Sequence, residues 1–555
     1  MKKEFDIIIV GGGASGLFAA IPLIEKGYSV VIIEKGKWRE ATQYDNDELY
    51  TYIDQKDWPN PREEFSVVDF SDITPPFIHR MGQSYGYVGG GTITYAGVSE
   101  RFRLSDFSKK SIYGSISGLN LCDWPDKFYE ELEPYYSMAE KFIGVSGDHT
   151  LDPTSPPRNS KLLPPLTMHE INHQMINAAH KLNWNPYPIP VAINSVYNPE
   201  NNRTWCVSSG LCSGYRCIWN SKASADEIFK HKVKEFSNYT VITNHVVVSI
   251  EADTTGNKVE SVTIKNRQTK AVETIFSKRI ILAAGGVLSP SLLLMSKSKK
   301  HPNGLANKND LIGRNLMFHI EGQKGAYFSG DFKKEKFNNV KKVMVSNHYE
   351  SNNKEYINHI TIQAGTKTGP IRFATKKTKG GWGLSYLKNV FDNFMNYFEF
   401  QVMVEDLPNL ENRVTLDELE KDVDGLPCSR ITHRYHKMDG LALLKSFELA
   451  ELWAKEMGGM TVTNTEVELK KWKEENSDST PPWRPVGFHL MGTLRMGDDS
   501  TTSVVNRNCE SHFVKGLFVV DSSIFPTSAG VNPTLTIQAN ALRVAHKIIE
   551  TDGSK

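Results

Sequence analysis

The sequence predicts an α/β protein in which a parallel, helix-flanked sheet is joined to a second domain with a mostly antiparallel sheet backed by helices. Three observations carry that expectation. The chain opens on an apolar strand, a glycine turn, a helix and a second strand. A similar strand, followed by an Ala-Gly-Gly turn and a helix, returns at Arg279–Ser296. From about Gly325 to Pro485 that pattern gives way to short alternating stretches. A chain of 555 residues exceeds one ordinary core. The expected division is a discontinuous nucleotide domain (1–110, 200–324 and 485–555) and a second domain (111–199 and 325–484).

The opening element is FDIIIVGGGASGLFAAIPLIEKGYSVVIIEKG, Phe5 to Gly36. Ile7–Val10 has the length and β-branching of a strand buried on both faces, and it stops at Gly11. In Gly11-x-Gly13-x-x-Gly16 the first glycine permits the turn, the second lets the backbone approach a pyrophosphate, and the third lets the helix pack on the strand. The amides around Ala14 and Ser15 then lie at a helix N-terminus, where phosphate oxygens are stabilised. The second strand, Ser29 to Ile33, ends at Glu34, which with Lys35 is expected at the cofactor. An acid about 20 residues beyond the first glycine suits ribose hydroxyls and repels a 2′-phosphate. The unit is therefore Rossmann-like and reads as a site for an adenine dinucleotide other than NADP. Pro22 is expected to kink the helix.

Composition narrows the function. Sixty-five Lys and Arg against 64 Asp and Glu give a net charge of +1, which argues against a nucleic-acid partner. No apolar run reaches the 18 residues of a membrane helix, so no membrane span is expected. The first strand begins by Phe5, leaving no room for a signal peptide, and the expected location is cytoplasmic. Six cysteines, at 122, 206, 212, 217, 428 and 509, are too few and too clustered for a disulfide framework.

Lys37 to Met81 is broken by charged and proline-rich pieces and reads as a surface excursion. Gly82 to Phe107 follows, in which Gly89, Gly90, Gly91 and Thr92 can turn successive N–H groups toward an anion or a ring edge. Helices are expected over Asp126–Phe142, His169–Leu182 and Asp226–Glu235. Tyr239–Ile250 reads as a β-rich return to the nucleotide domain, and Lys258–Ile275 as antiparallel strands. Arg279–Ser296 repeats the opening logic, with Ala284 and Gly285 in its turn. The sheet of the second domain is expected from Gly325–Phe328, Lys342–Ser346, Glu399–Val404 and Ser429–His433. Thr375–Gly383 is a basic, aromatic insertion, read as a solvated loop that could touch a partner or a membrane surface. Near the C-terminus, His489 precedes a Gly-Thr turn, a buried strand ends at Asp521, and Asn532-Pro533-Thr534 opens a helix. Asn532 suits the N-cap and Pro533 the first helical position.

The glycine fingerprint, the VGGGT loop with the following CDWPDKFYEELEPYYSMAEKFIGVSG, the RIILAAGGVLSPSLLLMS segment, LIGRNLMFH, the Asn412-Arg413 pair and the C-terminal GFHLMGTLRMG and NPTLT segments resemble the glucose-methanol-choline (GMC) oxidoreductases. The bacterial sugar and polyol dehydrogenase and pyranose oxidase-like branch is nearest. The resemblance implies FAD and a hydroxyl-bearing substrate such as a sugar, polyol or glycoside. It places Val247 at the adenine, Asp521 at the cofactor, and His489 with Asn532 before the flavin N5. Oxidising an alcohol requires removal of its O–H proton as hydride leaves the carbon, and imidazole suits that near neutrality. The helix N-terminus at Asn532–Thr534 would favour negative charge on a reduced flavin. Thr94 stands where pyranose oxidases carry a flavin-linking histidine, which implies non-covalent FAD.

Cys206-x5-Cys212-x4-Cys217 could bind an iron–sulfur cluster, as some members of the family do, but the spacing departs from that pattern and thiols without metal are expected. The electron acceptor stays open between oxygen, a quinone and a partner protein, as does a homo-oligomer. A GMC-like lyase and a non-redox flavoprotein subunit are the alternative functions.

Overall fold

A computed structural model describes residues 3–553 apart from 55–59, 61–62, 71–74, 84–85, 330–339, 351–352, 367–368, 378–382, 463–465, 477 and 486. Most of the basic insertion at 375–383 therefore lies outside the described residues.

The β-branched run Ile7–Val10 is the middle strand of a five-stranded parallel sheet, in the order Leu517–Val519, Ile280–Leu282, Ile7–Val10, Val30–Ile33, Tyr239–Ile242. Its four residues are buried, as continuous apolar strands covered on both faces must be. Ile9 sits opposite Ile281 on one side and Ile32 on the other. The helix Ala14–Glu25 and the C-terminal helix Thr534–Thr551 share the core with this sheet. Pro22 does not end the first helix, which continues to Glu25; Lys26, beyond it, donates its amide to the Pro22 carbonyl. Coming within the last turn, the proline removes a single bond near a frayed end. Beside the sheet lies an antiparallel one of His245–Ala252, Val259–Asn266 and Val272–Phe276. The expected return at 239–250 is thus two strands in two sheets.

The second domain is built on a six-stranded antiparallel sheet, ordered Gly459–Thr461, His319–Phe328, Tyr397–Glu405, Ile360–Thr366, Val343–Val345, Tyr187–Pro188. The helix Lys437–Glu456 backs it, with Trp453, Leu443 and Phe447 in its core.

A further four-stranded sheet differs from the sequence expectation. Arg413–Lys421 and Pro427–Thr432 are joined by Ser66–Asp69 and Phe77–His79. The stretch read as a surface excursion therefore supplies two strands, and 429–433, expected in the floor of the second domain, belongs here instead. The strands are too short, and too closely bounded by prolines, for a period-of-two pattern to show.

Candidate active site

The carboxyl ends of the parallel strands form the cleft where open α/β sheets bind ligands. Gly11 has φ +105°, and a Cβ there would come within 2.5 Å of the Ala283 carbonyl oxygen. A Cβ on Gly16 would stand 2.0 Å from the Gly11 carbonyl oxygen, so any side chain would push the helix off the strand. Gly13, in contrast, faces open space. The helix that follows has no side-chain cap, so its first-turn amides are left for a ligand.

Glu34, just past the second strand, is buried and accepts from the Gly12 and Gly36 amides, both at 2.8 Å. Burial raises its pKa, and those two amides work against the rise. Each carboxylate oxygen keeps a further acceptor site for a hydroxyl. Val247 is brought to the same end, since the His245 amide donates to the Glu34 carbonyl. Lys35 lies elsewhere: it pairs with Glu64 at 3.0 Å.

Gly89 donates its amide to the Gly12 carbonyl, which lays the 89–92 loop across the glycine turn. Thr92 is buried, its hydroxyl donating to the Gly89 carbonyl and accepting from the Ala225 amide. Thr94 is buried, and the Gly214 amide donates to its carbonyl at 2.7 Å, so the cysteine loop rests on it. In that loop, burial pushes the Cys212 thiol up to about 12. Among the described residues no cluster of three or more His, Cys, Asp or Glu could hold a metal ion. Asp521 accepts from the Gly285 amide at 2.8 Å and from the Ser289 and Ser523 hydroxyls, and so locks two turns at the cleft. Taken together, the uncapped helix, the open Gly13 and the buried carboxylate of Glu34 fit an adenine dinucleotide.

The second half of the site is set by register. Met317 and Met491 exchange amide hydrogen bonds as an antiparallel bridge, which puts His319 opposite His489. Their Nδ1 atoms are 2.8 Å apart and their rings meet edge to face. His489 holds φ +58°, a left-handed backbone that is uncommon outside glycine and clusters at functional sites.

The tautomers follow from the partners. His319 Nε2 lies 2.9 Å from the carbonyl oxygens of Ser528 and Ala529, so it carries a proton. Neutral His319 then accepts at Nδ1, and His489 must donate from its own Nδ1. Glu321 Oε1, 3.2 Å from His489 Nδ1, is a second acceptor for that proton. The lone pair of His489 is thereby left on Nε2, the atom free to take a proton. Burial, followed by the neighbouring His319 and Lys341, holds the His489 pKa well below its ordinary value. Burial brings His319 to about 4.

Asn532 is buried and accepts from Gln363 Nε2 at 3.0 Å. It does not cap the helix: the N-cap is Pro533, the helix begins at Thr534, and no side chain caps it. The sequence expectation was one residue early, because Asn532 turns its amide to the second domain. His489 and Asn532 are linked through His319 and the 528–532 loop, whose Gly530 carbonyl accepts from Thr361 and whose Gly530 amide donates to Tyr349. Sequence reasoning missed His319, Glu321, Gln363 and Gln401. The available signal was LIGRNLMFH, which ends on His319.

Comparison with known proteins decides the family. Models described as GMC oxidoreductase match residues 164–321 and 408–541, and one described as FAD binding domain matches residues 6–44. The chain is a GMC oxidoreductase. This GMC enzyme uses FAD to oxidise alcohols or sugars. It is 29% identical to 2-methyl-1,2-propanediol dehydrogenase of Mycolicibacterium austroafricanum, over 98% of this chain and 95% of that protein. It is 27% identical to the fructose dehydrogenase large subunit of Gluconobacter japonicus, over 98% and 97%. The pyridoxine 4-oxidase structure from Mesorbium loti has the same fold, with a TM-score of 0.68 at 18% identity, covering 98% of this chain and 99% of that one.

Proposed function

We propose that this enzyme oxidises a hydroxyl group of a polar small molecule, a sugar, polyol or glycoside, to a carbonyl, with His489 as the base. The observation that carries the reading is the hydrogen-bond chain from Ser528 and Ala529 through His319, which leaves Nε2 of His489 unprotonated. Bound FAD would supply the acceptor for the hydride. Gly11, Gly13, Ala14, Ser15, Gly16 and Glu34 would hold its adenosine and phosphates, with Val247 beside the adenine; Gly89–Thr92, Thr94, Ala284, Gly285 and Asp521 would shape the rest of the cleft. Lys35 is a weaker candidate, since Glu64 occupies it. Nε2 of His489 takes the hydroxyl proton, and Asn532, held by Gln363, orients the same hydroxyl. Glu321 and Gln401, joined at 2.6 Å, give the site a polar wall suited to a substrate with several hydroxyls. Names of the relatives point the same way, since a propanediol and fructose both carry neighbouring hydroxyls.

Anaerobic mixing with a panel of polyols and glycosides tests this: at least one should bleach the flavin, whereas a lyase or a scaffold subunit would leave it yellow. The pH dependence has a defined sign. A base whose folded pKa is depressed stays neutral to lower pH than free histidine. The bleaching rate should therefore be flat from neutrality down through about 6.5, histidine's ordinary pKa, and fall only below it. An acid limb centred at or above that value would contradict a depressed His489 pKa.

The cofactor is proposed to be non-covalent. Thr94 cannot form a histidyl linkage, so acid precipitation is expected to leave a white pellet and a yellow supernatant. Colour retained in the pellet would show a covalent bond.

A further inference from the structure

Arg203 is a buried guanidinium with no carboxylate in contact. Three other buried arginines show the ordinary arrangement: Arg101 faces Glu133 and Glu140, Arg103 faces Glu100 and Asp152, and Arg216 faces Asp226 and Glu227. Arg203 makes no such ion pair among the described residues. Its Nη2 donates to the Ile143 carbonyl at 2.5 Å and to Asn194 Oδ1 at 3.0 Å, whereas Nε and Nη1 are buried with no hydrogen-bond partner among the described residues. Burial brings the guanidinium down to about 10, so it is still charged at neutral pH. A buried cation with two unpaired donor nitrogens is costly unless an anion meets it.

Arg203 lines a cavity of about 270 Å³ whose other charged walls are Lys230, His231, Lys232 and Glu227. Glu227 is the one acid, and Arg216 already engages it at 2.7 Å. Lys230 also reaches Glu40, at 2.8 Å, but His231 and Lys232 make no ion pair among the described residues. Asn201, on the same cavity, has a buried amide nitrogen without a partner. Lys230, His231 and Lys232 form the basic last turn of the helix Ala225–Val233, where cations ordinarily offset the helix dipole. That role accounts for those three side chains and leaves Arg203 unexplained, because its nitrogens need an acceptor. Carboxylate and phosphate oxygens match the guanidinium fork. We propose that this cavity is a binding site for a small oxyanion, the phosphate or carboxylate group of a metabolite, separate from the active-site cleft. None of its lining residues is among those proposed to hold FAD or the reacting hydroxyl. The helix nevertheless joins the two places, since the Ala225 amide donates to the Thr92 hydroxyl at 2.9 Å. Nine residues at 1.5 Å each put the basic turn about 12 Å from that loop, so an anion held there would steady the helix that braces it.

Isothermal titration of the FAD-loaded, full-length enzyme with inorganic phosphate and, separately, with acetate, against chloride at matched ionic strength, tests the inference. One saturable site per chain is expected for at least one of the two anions. Tighter binding of phosphate would point to a phosphate ester as the natural occupant, and tighter binding of acetate to an organic acid. Flavin absorbance should stay unchanged throughout, which separates this site from the one for the cofactor's own phosphates. Arg203→Gln should weaken binding by about tenfold or more, through loss of charge-assisted hydrogen bonds. Lys232→Glu, on the cavity rim, should weaken it as well and guards against a folding defect at the buried position. Saturable binding of neither anion would overturn the proposal. So would binding by Lys232→Glu, or by folded Arg203→Gln, equal to that of the unaltered enzyme.

Discussion

Replacing His489 with alanine is expected to leave FAD bound and to slow its reduction by substrate by about 10²- to 10⁴-fold, the usual worth of a general base. The residues proposed to hold the cofactor lie on other turns, so flavin content should survive. Loss of the base should be partly recovered at high pH, where the alcohol needs less help to give up its proton. Asn532→Ala should cost less, because the side chain orients the hydroxyl without removing the proton. His319→Phe should also fall between the extremes, since it removes an acceptor for the His489 Nδ1 proton and a donor to the Ser528 and Ala529 carbonyls, while Glu321 can still accept from His489. Stopped-flow reduction of flavin-replete His489→Ala reads the outcome directly. Near-normal reduction, coupled with loss of flavin and stability, would mean that the histidine is a packing residue and the base lies elsewhere.

Glu34→Ala should weaken FAD binding by roughly 10- to 150-fold, the equivalent of about 1.5–3 kcal/mol for a hydrogen bond to a charged group. The carboxylate accepts from two turn amides, so its loss leaves Gly12 and Gly36 unpaired as well as removing the ribose acceptor. Glu34→Gln is the sharper comparison: it keeps an oxygen for one amide while turning an NH2 toward the other. Fluorescence titration of the apoprotein with FAD measures both. Unchanged affinity in Glu34→Ala would show that the adenosine does not meet this strand end.

Much of the fold was legible because the parallel strands announce themselves. Ile7–Val10 and Val30–Ile33 are β-branched runs, stopped by a glycine turn and by an acid, and Ile280–Leu282 is a wholly apolar one. Ser66–Asp69 and Phe77–His79 were not legible, because what makes them strands is pairing with Pro427–Thr432, far along the chain. The site divides similarly. His489 and Asn532 stand in recognisable local contexts. His319 closes the LIGRNLMFH segment, but what it does there comes from the Met317–Met491 register and from two carbonyls of a loop near the C-terminus. Gln363 and Asn532 meet for the same reason, and that meeting is what draws Asn532 away from the helix cap.

The clasp between the 528–532 loop and His319, Thr361, Tyr349 and Gln363 has a consequence for how the enzyme fails. The proposed reacting constellation belongs to neither domain alone: His489 and Asn532 arrive on C-terminal segments, while the groups that hydrogen-bond to them and to their loop arrive on the six-stranded sheet and its neighbours. Loosening of that sheet by heat or denaturant would scramble the proton-accepting atom while the nucleotide turn was still intact. Catalytic competence should thus be the most fragile property of the molecule. It would be lost at a milder stress than the one that releases the yellow colour, leaving an inactive protein still loaded with flavin.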